Sequence, residues 1–187
     1  MRKMSVGRLV ARRLVRPTVS TTRSFSSLTA SSSAAPVIDV HAHVVLRDSL
    51  GAAGSYGPEV GASETGEPWF RIGSYYLRGV RYEGSPFMDV NARLERMDRD
   101  GIDFQLLSPN PLTYFHHIPR EEAVAFCRQH NDALAAVVAE HPSRLGGLAA
   151  LPMQCPTSAA AELTRAVDEL GLLVRTLTLV METCKPV

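Results

Sequence analysis

The sequence predicts an α/β fold built on a parallel sheet. Two observations carry this. After residue 36 a strand pattern and a helix pattern alternate three times, with a further strand pattern over Leu172–Val180. The helical segments also carry their own start and stop residues. Alternation of this kind implies right-handed crossovers between parallel strands, and sites in such folds collect at the carboxyl ends of the strands.

The first strand is expected over Val37–His41, where Val, Ile and Val are enriched after Pro36. Residues 48–88 are rich in Gly, Pro and Tyr and read as a long irregular loop or a small subdomain. Trp69, Phe70 and Tyr75 are expected to pack it down. Asp89 suits an N-cap for a helix over Val90–Arg99, with Val90, Leu94 and Met97 on one face and Gly101 as its stop. Ile102–Leu107 reads as a second strand, ended by Pro109 and Pro111. Pro119 opens a long helix, with Glu121 and Glu122 where the dipole favours acids. Its apolar stripe is Ala123, Phe126, Cys127, Leu134 and Val138, and His141-Pro142 ends it. Leu145–Leu151 is the third strand, stopped by Pro152. Ser158 is the expected cap of a third helix whose face is Leu163, Ala166, Val167 and Leu170, closed by Gly171.

Residues 1–35 differ in kind from the rest. They hold seven basic residues and no acid; the first acid is Asp39. Helical spacing sets Val6, Leu9, Val10 and Leu14 on one side and Arg8, Arg12 and Arg16 on another. Arg23-Ser24-Phe25-Ser26 is similar to a matrix-protease cleavage pattern. A mitochondrial targeting leader, and a matrix location, are therefore expected; the alternative is a basic tail that carries no address, in the cytosol. Twenty basic residues less those seven leaves thirteen against nineteen acids, a net of −6 for residues 36–187. That balance argues against a nucleic-acid partner, which needs a basic surface. No apolar run approaches the ~18 residues of a membrane span. Cys127, Cys155 and Cys184 fit no CxxC pattern and read as reduced thiols.

The chemistry is expected at His41-Ala42-His43, at the end of the first strand. Strand side chains alternate, so His41 and His43 project to one side, and Asp39 with them. Two imidazoles at i, i+2 on a rigid base can converge on a divalent ion, for which zinc is the expected choice. Asp39 is then placed to hold an imidazole tautomer. The alternative is a pair of hydrogen-bonded core histidines. His116 and His117 follow the second strand on the expected rim, and at most one of them would face inward. Tyr114 and Phe115 are expected either to line a pocket for a flat ligand or to pack together. His130, within a helix, reads as structural.

Val37–His43 resembles the opening of the amidohydrolase superfamily. Asn91–Asp103 resembles the R-x-x-x-M-D-x-x-G-V/I-D segment of its aminocarboxymuconate-semialdehyde decarboxylase branch. His130-Asn131-Asp132, His141–Leu145 and Ala150-Leu151-Pro152 match the same branch in order and spacing, from residue 37 to about 172. The resemblance implies a distorted (β/α)8 barrel with one metal ion, usually zinc, and with His41 and His43 as two of its ligands. It implies a further histidine and an aspartate from later strands, and a small carboxylate substrate that loses carbon dioxide. Leu77–Val80 is similar to the branch's arginine-bearing loop, so Arg78 becomes the candidate clamp for a substrate carboxylate.

A complete barrel needs ~250 residues. This chain is expected to supply its first three to four β/α units over 36–173, followed by a divergent tail over 174–187 and inactive by itself. A hydrolase acting on a cyclic amide or lactone is the nearest alternative. A non-catalytic form that pairs with a full-length homologue, or a homodimer, is the other.

Overall fold

A computed structural model describes residues 35–173. The expected leader, apart from Ala35, and the expected tail lie outside the described residues, as does all but Leu172 and Leu173 of the proposed fourth strand. Strand β1 spans Ile38–Val44, so it runs through both histidines instead of ending at the first. The 48–88 segment is not irregular throughout. It carries β2 (Glu59–Ala62), β3 (Pro68–Ile72) and β4 (Tyr75–Arg78), which form a separate antiparallel sheet in that order. Helix α1 (Val90–Asp100), β5 (Phe104–Pro109), α2 (Arg120–Glu140), β6 (Leu145–Gly147) and α3 (Pro156–Asp168) follow among the described residues.

The principal sheet is parallel, in the order β1-β5-β6. A parallel bridge from Leu148 to Leu173 continues that direction. This is the expected α/β pattern. Its local punctuation is largely as read. The Asp89 carboxylate accepts from Ala92 N–H, and Gly101 closes α1 in the left-handed region at φ 70°. The Ile102 N–H then returns to Met97 O at 2.8 Å, closing the helix end. Pro119 precedes α2, and His141 ends it.

Three readings are corrected. The third strand stops at Gly147, well short of Leu151. Cys155, not Ser158, precedes α3, and Pro156 takes its first turn; the Ser158 hydroxyl instead donates to the Cys155 sulfur. Val167 is exposed, while Ala159, Glu162 and Ala166 form the buried face. The chain there follows its tertiary partners, since Glu162 is needed by α2.

Two cores follow from this order. One lies between the parallel sheet and the helices, around Met97, Leu107, Leu134, Leu145 and Ala166. The other lies beneath the small sheet, where Phe70 and Ile72 meet Tyr82, Phe115 and Phe126. Trp69 is half-buried and Tyr75 is exposed, so Phe70 is the side chain that anchors this sheet. Close packing reaches the backbone at β6: a Cβ on Gly147 would stand 2.7 Å from Leu172 Cδ2 and 2.9 Å from Leu134 Cγ. Among the described residues no helix is long and apolar enough to cross a membrane.

Candidate metal centre

Strand register decides what faces the site. Asp39 pairs with Gln105, but Ala42 pairs with Leu107 and His43 with Ser108. One extra residue therefore sits in β1 between Asp39 and Ala42, a β-bulge. An odd residue in the register moves everything before it to the opposite face. His43 lies beside Ser108, while Asp39 lies with Gln105 on the helix-covered face. The expectation that Asp39 shares the histidines' side is thus corrected. Its carboxylate accepts from the His41 backbone N–H at 2.9 Å and from Gln105 Nε2 at 2.9 Å. It holds the bulge rather than an imidazole tautomer.

The two rings stand side by side, with centroids 4.8 Å apart and planes at 77°. His43 Nδ1 lies 3.1 Å from Pro109 O and 2.9 Å from Ser108 Oγ. The Ser108 hydroxyl reaches Ala42 O at 3.3 Å. A carbonyl accepts only, so the contact to Pro109 O calls for the proton on Nδ1, and in the neutral ring the second lone pair then belongs to Nε2. That is the tautomer a metal ligand needs.

A polar chain supports β1 from the helix side. Buried Arg93 donates to His43 O at 2.6 Å and to Gln105 Oε1 at 3.0 Å. Gln105 passes the contact on to Asp39. Desolvation pushes the Arg93 guanidinium down to about 10, partly offset by the Asp39 charge. The sequence signal for Arg93 was its place on the apolar stripe of α1, three residues after Val90 and four before Met97. Asn131 stands similarly on the stripe of α2. It donates to Ala150 O and Glu162 Oε1 and accepts from Ala150 N–H, all within 2.9 Å. Arg165 pairs with both Asp132 and Glu162. Asp98 and Arg144 pair at 2.7 Å. The segments that carried the resemblance are therefore largely in contact.

His41 and His43 line a cavity of about 290 Å³, with Ser108, Tyr114, His116 and Leu151 among its walls. Ala150, held by Asn131, also lines it. Burial, with His117 beside it, lowers the His116 pKa. His117 is exposed and outside this lining. Arg78 is exposed at the end of β4, with its guanidinium 5.7 Å from the Tyr76 ring centre; it does not line the cavity. Phe115 is buried in the second core, so of the expected aromatic pair only Tyr114 reaches the cavity. His130 is buried against Phe126. Cys127 is buried, and desolvation pushes its thiol up to about 12, whereas the Ser158 hydrogen bond lowers that of half-buried Cys155. Cys184 lies outside the described residues.

The donor set fits a divalent transition ion in kind: two imidazoles, one with its second nitrogen anchored. Among the described residues no group of three or more His, Cys, Asp or Glu side chains is placed to hold an ion. The described residues thus offer two imidazole donors at this cavity.

The described residues thus present a parallel sheet with a histidine pair on its first strand. The sequence pattern of the amidohydrolase family matches residues 38–181, and the chain belongs to that family. It is 39% identical over 84 residues to the 2-amino-3-carboxymuconate-6-semialdehyde decarboxylase of Dictyostelium discoideum, covering 45% of this chain and 23% of that protein. It is 42% identical over 90 residues to the gamma-resorcylate decarboxylase of a Polaromonas species, covering 48% and 28%. Among solved structures, a dihydroxybenzoic acid decarboxylase from Polaromonas, with bound manganese and the inhibitor 2-nitroresorcinol, aligns with TM-score 0.54 at 28% identity. That alignment covers 75% of this chain and 37% of the other. The 5-carboxyvanillate decarboxylase of Sphingomonas paucimobilis shares the fold with TM-score 0.57 at 24% identity, over 74% and 41%. The matched stretches span about a quarter of the curated relatives' length.

Proposed function

We propose that the chain contributes the first half of a metal-dependent decarboxylase acting on a small aromatic or unsaturated carboxylate. The carrying observation is the histidine pair on the cavity wall, with His43 Nδ1 anchored on Pro109 O. His41 and His43 would hold a divalent ion, for which zinc suits two nitrogen donors; the manganese of the Polaromonas structure makes that ion the competitor. Such an ion, when bound, supplies Lewis acidity toward a carboxylate oxygen. The chain's own part is to position the imidazoles, through the bulge and Arg93, and to wall the cavity. In the reaction the carbon–carboxylate bond breaks, carbon dioxide leaves, and a proton takes its place on the ring carbon.

Arg78 is retained as the proposed carboxylate clamp only for a carboxylate that approaches the small sheet, since it stands away from the cavity. Three protein ligands are the norm for a catalytic ion. With two among the described residues, residues 34–187 alone are proposed to be inert.

The test is carboxyl-labelled 2,6-dihydroxybenzoate offered to the native protein and to residues 34–187, with metal analysis of each. Labelled carbon dioxide from the native protein, with none from 34–187, is the expected result. Ring opening of a lactone without carbon dioxide release would instead favour a hydrolase. Turnover by 34–187 would sink the claim that it is inert. The matrix location is likewise a proposal from the composition of residues 1–35; a fluorescent protein fused to them that stays cytosolic would overturn it.

A further inference from the structure

The small antiparallel sheet has β4 as one of its two outer strands. Gly79 N–H donates to Pro68 O at 2.9 Å, and the register continues from there through Phe70 opposite Leu77 and Ile72 opposite Tyr75. An antiparallel ladder bonds every second pair, so Tyr75 and Leu77 bond to β3. The N–H and C=O groups of Tyr76 and Arg78 therefore point away from β3. Among the described residues these four groups take no backbone partner across that edge. Strand β4 has no proline, and its register with β3 is unbroken, so it lacks two common guards of an edge. The opposite edge is guarded: β2 follows Pro58, which has no N–H and whose carbonyl accepts from Gly51. The side chains along β4 are aromatic and open, with Tyr75 53% and Tyr76 46% exposed. Trp69 stands edge-on to the Tyr76 ring at 5.6 Å, and the Arg78 guanidinium lies 5.7 Å from that ring's centre.

We propose that the free edge of β4 docks β4 of a second copy of this chain, antiparallel about a two-fold axis at Leu77. Residues whose backbone groups point outward must face each other, so Tyr76 and Arg78 decide the register. Arg78 opposite itself would set two like charges together, which destabilises a pair. Tyr76 opposite itself would leave Arg78 against Ser74 of the turn. Tyr76 opposite the partner's Arg78 is the register that uses both residues. It forms four backbone hydrogen bonds, two at each of two equivalent pairs, and sets a guanidinium beside a ring twice. The edge is thus its own complement, which is the reason for a second copy rather than an unrelated strand. The same register sets Tyr75 opposite the partner's Gly79, and there is room for it: a Cβ on Gly79 would meet nothing nearer than Glu67 Oε1 at 3.8 Å. A two-fold pairing uses up both β4 edges, so association stops at the dimer. The contact is small, so the dimer is weak. It needs neither metal nor substrate and stands apart from the decarboxylase reading.

The test is sedimentation of the full chain from about 1 to 500 µM, the range of a small interface, with amide hydrogen exchange read at Tyr76 and Arg78. The mass should double across that range, and both amides should exchange slowly only where the dimer is populated. Y76K sets a lysine opposite the partner's Arg78 at both pairs and should raise the dissociation constant roughly tenfold or more. Y76K/R78E sets lysine opposite glutamate at both pairs and should recover most of that loss. Both positions are exposed, so thermal melting of each variant should stay close to the parent's. Rescue by the second substitution separates this register from a general loss of folding, which a second change would not repair. A parent that stays monomeric throughout, or that grows past the dimer, overturns the proposal. So does fast exchange of both amides at every concentration, a dimer indifferent to Y76K, or a double variant as weak as Y76K.

Discussion

His130 should make the fold lose stability in mild acid. Its imidazole is 1% exposed, stacks on Phe126 at 5.4 Å, and has no hydrogen-bond partner among the described residues at either ring nitrogen. Desolvation pushes its pKa down from 6.5 to about 4. The unfolded chain therefore takes up a proton that the folded chain refuses. Stability from this source is fully present well above pH 6.5, falls as pH drops through 6.5, and levels off below about 4. Linkage between those values gives a loss of about 2 kcal/mol by pH 5 and about 3 kcal/mol at the acid limit. His130→Leu removes the group at similar volume and leaves no buried polar atom behind, so it should be neutral or stabilising at pH 7.5. Urea unfolding of both proteins at pH 7.5 and pH 5 isolates the effect from all other titrating groups. The parent should lose about 2 kcal/mol more than the variant between the two conditions. Parallel losses in parent and variant would refute the reasoning.

Three further outcomes follow from the same geometry. Arg93→Met should weaken metal uptake by the histidine pair roughly 10- to 100-fold, by analogy with lost ligand support; Arg93→Lys should not restore it, because one ammonium cannot replace the fork that spans His43 O and Gln105. Cobalt titration followed by absorbance reads this, and unchanged affinity counts against the positioning role. Asn131→Asp should cost roughly 3–5 kcal/mol in urea unfolding, because it sets a second carboxylate where Glu162 Oε1 now accepts at 2.8 Å; a neutral result would mean Glu162 rearranges freely. Gly147→Ala, which elsewhere in a strand gains roughly 0.5–1 kcal/mol, should here cost roughly 1–3 kcal/mol through overpacking against Leu134 and Leu172, and a stabilised variant would show that β6 can shift.

What the sequence by itself determined was local. The alternation of strands and helices, the Asp89 cap, the Gly101 stop and the extent of α2 all depend on residues within a turn or two of one another. The histidine pair at i, i+2 was legible for the same reason, as was its place on the first strand. The tertiary structure alone decided matters that depend on a distant partner. Whether Asp39 faces the histidines turns on one extra residue in β1, and that is visible only against the register of β5. Whether Arg93 is a solvated charge or a support for His43 depends on Gln105 and on burial beneath the sheet. The antiparallel sheet within 48–88 forms because Phe70 and Ile72 find a core that includes Tyr82, Phe115 and Phe126. Ser158 is no cap because α3 already starts at Pro156, and the face α3 buries is the one whose Glu162 accepts from Asn131 of α2. Tyr114 and His116 reach the cavity while Phe115 between them turns into the core, because the Phe126 ring, distant in sequence, receives it there.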